Sequence, residues 1–228
     1  MIQLSLGVKM YFKNRQDAGR QLCPILEKHR GKEMVIYALP RGGVVVAAEI
    51  AKFFKAPLDL IFAHKIGHPY QPEYAIGAIS ESGHLIQTSE SRAMEEKWLE
   101  NQKKFQIEEI KRKRKLYLKK ENKTVAKGKI AIIVDDGIAT GLTMKAAILE
   151  IKEEHPLKIV IAVPVAPEST ADELKREVDD FVAITIPEDH RFLGSVGAYY
   201  EKFPQVEDEE VIAILNDFRK DGKINSYQ

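Results

Sequence analysis

Residues 129–152 constrain the fold more than any other stretch of the chain. The apolar run from Lys129 to Val134 ends in two adjacent acids, Asp135 and Asp136. A loop of small and hydroxyl residues follows, Gly137-Ile138-Ala139-Thr140-Gly141-Leu142-Thr143, and then a helix-like segment from Met144 to Lys152. A short apolar run bounded by turn residues and followed by a helical pattern predicts a buried strand feeding a helix, the unit of a parallel sheet. The polar chemistry is concentrated in the turn. Backbone N–H groups at a helix start bind anions, and glycine lets a phosphate come close to the backbone. The two acids do not bind that same phosphate; they suit hydroxyls, or a metal ion beside it. A ligand carrying both a phosphate and a diol, such as a ribose 5-phosphate, fits the layout. An ordinary strand-to-helix turn uses Asp and Thr as well, as turn and cap residues.

The same alternation runs through the chain. A helix is predicted over 14–29, with Asn14 as its cap and Ala18, Leu22, Ile25 and Leu26 as its apolar stripe. Apolar strands are predicted at 34–39, 58–63, 129–134, 158–163 and 181–186, with helices at 44–54, 142–154 and 168–178 between them. Residues 76–80 and 84–87, split by Glu81-Ser82-Gly83, read as a hairpin. The highly charged stretch 89–121 reads as a long helix, and 206–218 as a closing amphipathic helix. Strands alternating with helices predict an α/β fold with a doubly wound, mostly parallel sheet. The chain reads as one domain over 1–228, with an insertion at about 67–125 and a C-terminal hood and closing helix at about 187–220. In such sheets ligands bind beyond the carboxyl ends of the strands. Three loops that carry distinctive residues fall there: 39–43, 64–74 and 135–143.

Composition narrows the class. Of 228 residues 44% are hydrophobic, enough for a packed core, and 30% are charged. A net charge of +1 carries no signal for nucleic acid or a membrane surface. No stretch reaches the roughly 18 apolar residues of a membrane span. The start, MIQLSLGVKMYF, lacks a signal-peptide pattern, and the single Cys23 forms no internal disulfide, so a cytoplasmic location is expected. Cys23 falls in an amphipathic segment and is expected to be a small buried residue.

VDDGIATGLT resembles the 5-phosphoribosyl-1-pyrophosphate (PRPP) signature of type I phosphoribosyltransferases, and it is neither GxxxxGK[ST] nor GxGxxG. A second element strengthens the resemblance. Leu39-Pro40-Arg41-Gly42-Gly43-Val44 is similar to the family's short pyrophosphate loop between the first strand and a helix. The resemblance implies a doubly wound sheet with a small hood and a long helical insertion. It implies a Mg²⁺-dependent transfer of 5-phosphoribose from PRPP to a nitrogenous acceptor, a nucleobase or related heterocycle, with release of pyrophosphate.

The resemblance also distributes roles. Gly137, Ile138, Ala139, Thr140, Gly141 and Thr143 would hold the 5-phosphate. Asp135 and Asp136 would meet the ribose hydroxyls, directly or through Mg²⁺, and offset positive charge in an oxocarbenium-like transition state. Pro40, Arg41, Gly42, Gly43 and Lys65 would hold pyrophosphate; Lys65 joins Asp135 and Asp136 as a catalytic candidate. Residues 70–124 hold the place of a loop that closes over PRPP and excludes water. Phe192, after the last core strand, is either a base-stacking residue or plain core.

The nucleobase pocket departs from better-known subfamilies. Enzymes of 6-oxopurines place an acid where this chain has Ala139, and a lysine near Val163-Pro164-Val165-Ala166-Pro167; both are missing. The chain therefore resembles the uncharacterised bacterial phosphoribosyltransferases, with a homodimer expected and no membrane or nucleic-acid partner. His64 and His68 read as loop polarity with no zinc set around them. The basic run Lys111-Arg112-Lys113-Arg114-Lys115 reads as a solvated helix face; steering of PRPP and RNA binding are its other readings. The alternative to an enzyme is a PRPP- or nucleotide-sensing regulator on the same platform.

Overall fold

The computed structural model describes residues 11–119 and 124–220. The first ten residues, on which the signal-peptide reading mostly rests, lie outside this range, as does the end of the helix expected to run to 121.

The β-strand Met34–Ala38 (β1) follows the helix Arg15–Ile25 (α1) and leads into the helix Gly42–Phe54 (α2). The strand Leu58–Leu60 (β2) comes next. A three-stranded excursion follows: Ala63–His68 (β3), Gln71–Ser80 (β4) and Leu85–Gln87 (β5). Two helices, Ser89–Arg92 (α3) and Glu96–Leu118 (α4), return the chain to the sheet. The remainder alternates: Ile130–Val134 (β6), Leu142–Lys152 (α5), Lys158–Val165 (β7), Glu168–Lys175 (α6), Asp180–Thr185 (β8) and the closing helix Asp208–Lys220 (α7).

Five strands form one parallel sheet in the order β2-β1-β6-β7-β8. Its centre, β6, is the β-branched run Ile130-Ala131-Ile132-Ile133-Val134, buried at every residue. A central strand covered on both faces reads as a continuous apolar run, which is why this one was legible. Successive side chains go to opposite faces. Ile130, Ile132 and Val134 join a core packed by α1, α2, α4 and α7, and Ala131 and Ile133 join one packed by α5 and α6. This is the doubly wound α/β class the alternation predicts.

Four expectations change in detail. The strand expected at 58–63 stops at Leu60 in the main sheet. Ile61 N–H still donates to Ala38 O at 3.0 Å, but Phe62 turns away to stack on Tyr117, and Ala63 opens an antiparallel pairing with Ser80. His64 and His68 consequently lie in β3, not in a loop. The stretch 89–121 holds two helices, the first capped by Thr88 Oγ1 accepting from Ser91 N–H, the second ended by Lys119 in a left-handed conformation. Ile25 is exposed, and the buried stripe of α1 is Arg15, Ala18, Gly19, Leu22 and Cys23, with Asn14 capping the helix as expected.

Candidate functional site

The site forms where β1 and β6 end side by side. Ala38 pairs with Val134, and Leu39 N–H donates to Val134 O at 2.9 Å, so the loops leaving the two strands start in contact. The Pro40–Arg41 peptide bond is cis. Gly42 and Gly43 then press against the acids of the other loop. A Cβ on Gly42 would stand 1.9 Å from Asp136 Oδ2, and one on Gly43 would stand 2.9 Å from Asp135 Cα. No side chain fits at Gly42 without moving the Asp136 carboxylate, or at Gly43 without moving the backbone at Val134 and Asp135. The first turn of α2 therefore begins directly beside Asp135 and Asp136.

Both acids are largely enclosed. Asp135 Oδ1 accepts from Asp136 N–H at 2.8 Å. Asp136 Oδ2 accepts from Arg15 Nε at 2.7 Å, and Arg15 Nη1 donates to Pro204 O at 2.7 Å while its guanidinium lies 3.6 Å from the centre of the Phe203 ring. The Tyr200 hydroxyl donates to Asp136 O at 2.6 Å. Burial, and next the charge of Asp136, push the Asp135 carboxyl well above the usual carboxylate range. Burial raises Asp136 too, against the opposing pull of Arg15. One guanidinium beside two carboxylates leaves the pocket short of positive charge.

That shortage is the test for Mg²⁺. The ion takes hard oxygen ligands and is usually held by one or two carboxylates plus substrate phosphates and water. Two adjacent aspartates fit that role. The described residues contain no cluster of three or more His, Cys, Asp or Glu able to hold a metal, so the remaining ligands would come from substrate and water.

The loop after the acids is shaped by two glycines with positive φ. At Gly137 (φ +153°) a Cβ would meet Val196 Cγ1 at 2.5 Å; at Gly141 (φ +72°), the N-cap of α5, it would meet Thr170 Cγ2 at 2.7 Å. Thr170 Oγ1 also donates to Ala139 O at 2.9 Å, fixing the loop from α6. Ala139 and Thr140 are exposed, and the N–H groups of Ala139, Thr140 and Gly141 meet no protein acceptor among the described residues. Ile138 differs. Its side chain is buried and its N–H donates to Val165 O at 2.8 Å, so that N–H is not free for a phosphate.

Other candidates are turned elsewhere. Arg41 Nη1 reaches Asp208 Oδ1 at 3.3 Å and Glu207 Oε2 at 3.4 Å, at the start of α7. Lys65 lies within β3, and its Nζ is 2.7 Å from Glu73 Oε2 across the hairpin. Phe192 is half-buried, its ring 5.6 Å from that of Tyr199. His64 Nδ1 is 3.0 Å from Gln106 Oε1, and burial holds its pKa below the usual histidine value. Arg15 and Tyr200 were missed in the sequence. Arg15 had a signal: it sits three residues before Ala18 and seven before Leu22, a charged residue on an apolar stripe.

A parallel sheet whose two central loops bring a double-glycine turn against an acid pair, with a loop of free N–H groups beyond it, defines a class of protein. The model of the phosphoribosyl transferase domain matches residues 8–201, and this chain belongs to that family. It is 36% identical over 222 residues to "Putative phosphoribosyl transferase MT0597" of Mycobacterium tuberculosis strain CDC 1551 / Oshkosh, an alignment covering 94% of this chain and 49% of that protein. The chain thus spans about half the length of the curated relatives it matches. The crystal structure of TT1426 from Thermus thermophilus is similar over 91% of this chain and 99% of that one, at 38% identity and a TM-score of 0.75. The AQ2163 protein of Aquifex aeolicus, 14% identical, shares the fold over 76% of this chain and 75% of its own, with a TM-score of 0.50.

Proposed function

We propose that this chain binds PRPP across the ends of β1 and β6 and transfers its 5-phosphoribosyl group to a nitrogen heterocycle, releasing pyrophosphate. The observation that carries the reading is the contact of Gly42 and Gly43 with the Asp135–Asp136 pair. It sets a loop suited to pyrophosphate beside two carboxylates suited to ribose hydroxyls.

In this reading the free N–H groups of Ala139, Thr140 and Gly141, with the hydroxyls of Thr140 and Thr143, take the 5-phosphate. Asp135 and Asp136 hold the ribose hydroxyls, and Arg15 keeps Asp136 oriented through the 2.7 Å bond. As the bond from C1 to pyrophosphate breaks, the carboxylates offset charge growing on the ribose, while the first-turn N–H groups of α2 face the departing anion. Asp135 and Asp136 would hold Mg²⁺, which would supply charge neutralisation to the departing pyrophosphate. Lys65, freed from Glu73, adds a cation to the leaving group. The β3–β4 hairpin excludes water from the reacting carbon. Phe192 covers the acceptor ring. Ala139 provides no carboxylate to take the acceptor's proton, which points away from 6-oxopurines.

The reading is tested by titrating the protein with PRPP and Mg²⁺ in a calorimeter, then offering a panel of nucleobases and related heterocycles with pyrophosphate release as readout. Binding, turnover with one acceptor class and loss of turnover in Asp136→Asn are expected. No PRPP binding, with Asp136→Asn unchanged in every assay, overturns it.

A further inference from the structure

The basic run of α4 is not one charged face: Arg112 is held by Glu109 at 2.9 Å, and Arg114 is buried and paired with Glu81 at 3.0 Å. Unopposed positive charge gathers instead at the other end of the main sheet, where the strands begin. There a cavity of about 420 Å³ opens between the turn that enters β1, the end of α2 and the chain that enters β6.

The parallel register brings these segments together. Met34 of β1 pairs with Ile130 of β6, and Ile130 N–H donates to Glu33 O at 2.9 Å, so Lys129 arrives beside the turn that carries Lys32. On the other side of β1, Ile36 pairs with Leu58 of β2 and its N–H donates to Pro57 O at 2.9 Å, which brings Lys55 to the same rim. Neighbouring strands lie about 4.8 Å apart, so three lysines distant in sequence surround one opening.

Lys32, Lys55 and Lys129 line the cavity, and their ammonium groups make no ion pair or hydrogen bond among the described residues. Arg30 lines it too, but Glu27 holds it at 3.0 Å and its guanidinium lies over the Phe53 and Phe54 rings at 4.7 and 5.2 Å. Glu33 is the one acid in the lining. Three ammonium groups therefore face one carboxylate, in a chain whose whole net charge is +1. The C-terminus of α2 adds only about half a negative charge. Its carbonyls at Lys52 and Ala51 already accept from the N–H groups of Lys55 and Ala56. The floor is apolar, formed by Met34, Phe54, Ala56 and Pro57.

The volume is in the range of sites that enclose a small organic ligand. Inorganic phosphate would oppose the lysines and leave the apolar floor in water. A neutral apolar molecule would cover the floor and leave the lysines unopposed. We infer that the cavity binds a nucleoside di- or triphosphate, its phosphates among Lys32, Lys55 and Lys129 and its base against Phe54 and Pro57. The length of β6, about 13 Å, separates this site from the Asp135–Asp136 loop, so the inference does not rest on the PRPP reading.

The test titrates ATP, tripolyphosphate and adenosine calorimetrically, without Mg²⁺, into the wild type, Lys32→Gln/Lys55→Gln, Lys129→Gln and Asp136→Asn. Lys32 and Lys55 are exposed, so their double variant keeps the fold even if the half-buried Lys129 proves less tolerant. ATP binds the wild type more tightly than tripolyphosphate does, and adenosine binds weakest. Both lysine variants weaken ATP by about tenfold or more, the loss expected for a charged contact, and Asp136→Asn leaves it unchanged. No ATP binding to the wild type, or ATP binding that neither lysine variant weakens, overturns the site. A loss of ATP confined to Asp136→Asn places the nucleotide at the acid pair and overturns it as well. Tripolyphosphate binding as tightly as ATP overturns the nucleotide assignment.

Discussion

Arg15 joins parts of the chain that no local pattern connects. Its guanidinium serves Asp136, Pro204 and the Phe203 ring together. Replacing it with methionine removes the one cation bonded to the acid pair among the described residues and leaves the carboxylates facing each other. A loss of about 3 kcal/mol near pH 7 is expected by urea unfolding, at the low end for a broken buried pair because Asp136 keeps some contact with water. The pH dependence has a definite sign. The folded-state pKa values of both acids lie above their unfolded values, so stability is highest when both are protonated and falls as pH rises from about 4 through the raised values. Without Arg15 those values rise further. The gap between Arg15→Met and wild type should close as pH is lowered toward 4; a gap that stays constant would show that the pair does not govern it. At this scale the candidate site was legible where its residues form a run. Asp135, Asp136, Gly42 and Gly43 stand out from their neighbours alone. Arg15 does not, because its partner is 121 positions away and only the fold brings the two together.

At the scale of elements, β1, β6 and β7 were legible because burial on both faces makes them nearly uninterrupted apolar runs. The hairpin was harder. Ala63-His64-Lys65-Ile66-Gly67-His68 lacks a clean alternation, and its register shifts twice around Gly67. A Cβ there would come within 2.2 Å of Pro72 O, so the close approach of β3 and β4 depends on that glycine. The tip beyond it is exposed: Tyr70 is 89% accessible, and the Lys65–Glu73 pair joins a half-exposed lysine to a carboxylate open to solvent. Such a solvent-exposed pair contributes little to stability. Lys65→Met and Glu73→Gln should therefore leave the unfolding midpoint nearly unchanged. Their effects on PRPP should diverge: Lys65→Met weakens binding by roughly tenfold, the loss expected for one charged contact, while Glu73→Gln strengthens it slightly by releasing the lysine. Parallel losses in both variants would assign the pair a structural role instead.

Across the whole molecule, stability is carried by a sheet with two cores. The strand β6 contributes to both, with Ile132 on one face and Ile133 on the other, each fully buried. Ile132→Ala should cost about 3–4 kcal/mol in urea unfolding, since neighbouring strands on both sides prevent collapse into the space. A cost below about 1 kcal/mol would mean that the two layers are not joined through this strand. The layer order and the covered central strand were visible in the sequence. The hood's attachment was not, because it depends on contacts such as Val196 against Gly137 and the Tyr200 hydroxyl on the Asp136 carbonyl, which have no periodic signature.

Those contacts have a consequence for synthesis. A ribosome delivers Arg15 before Asp136, and Tyr200 and Pro204 after both. The sheet strands from β1 to β8 have all emerged before Tyr200 and Pro204 are available to brace Asp136 and Arg15. A nascent chain can thus acquire its layered architecture before its acid pair is secured, so the proposed hold on a phosphorylated sugar would follow the layered fold rather than grow with it.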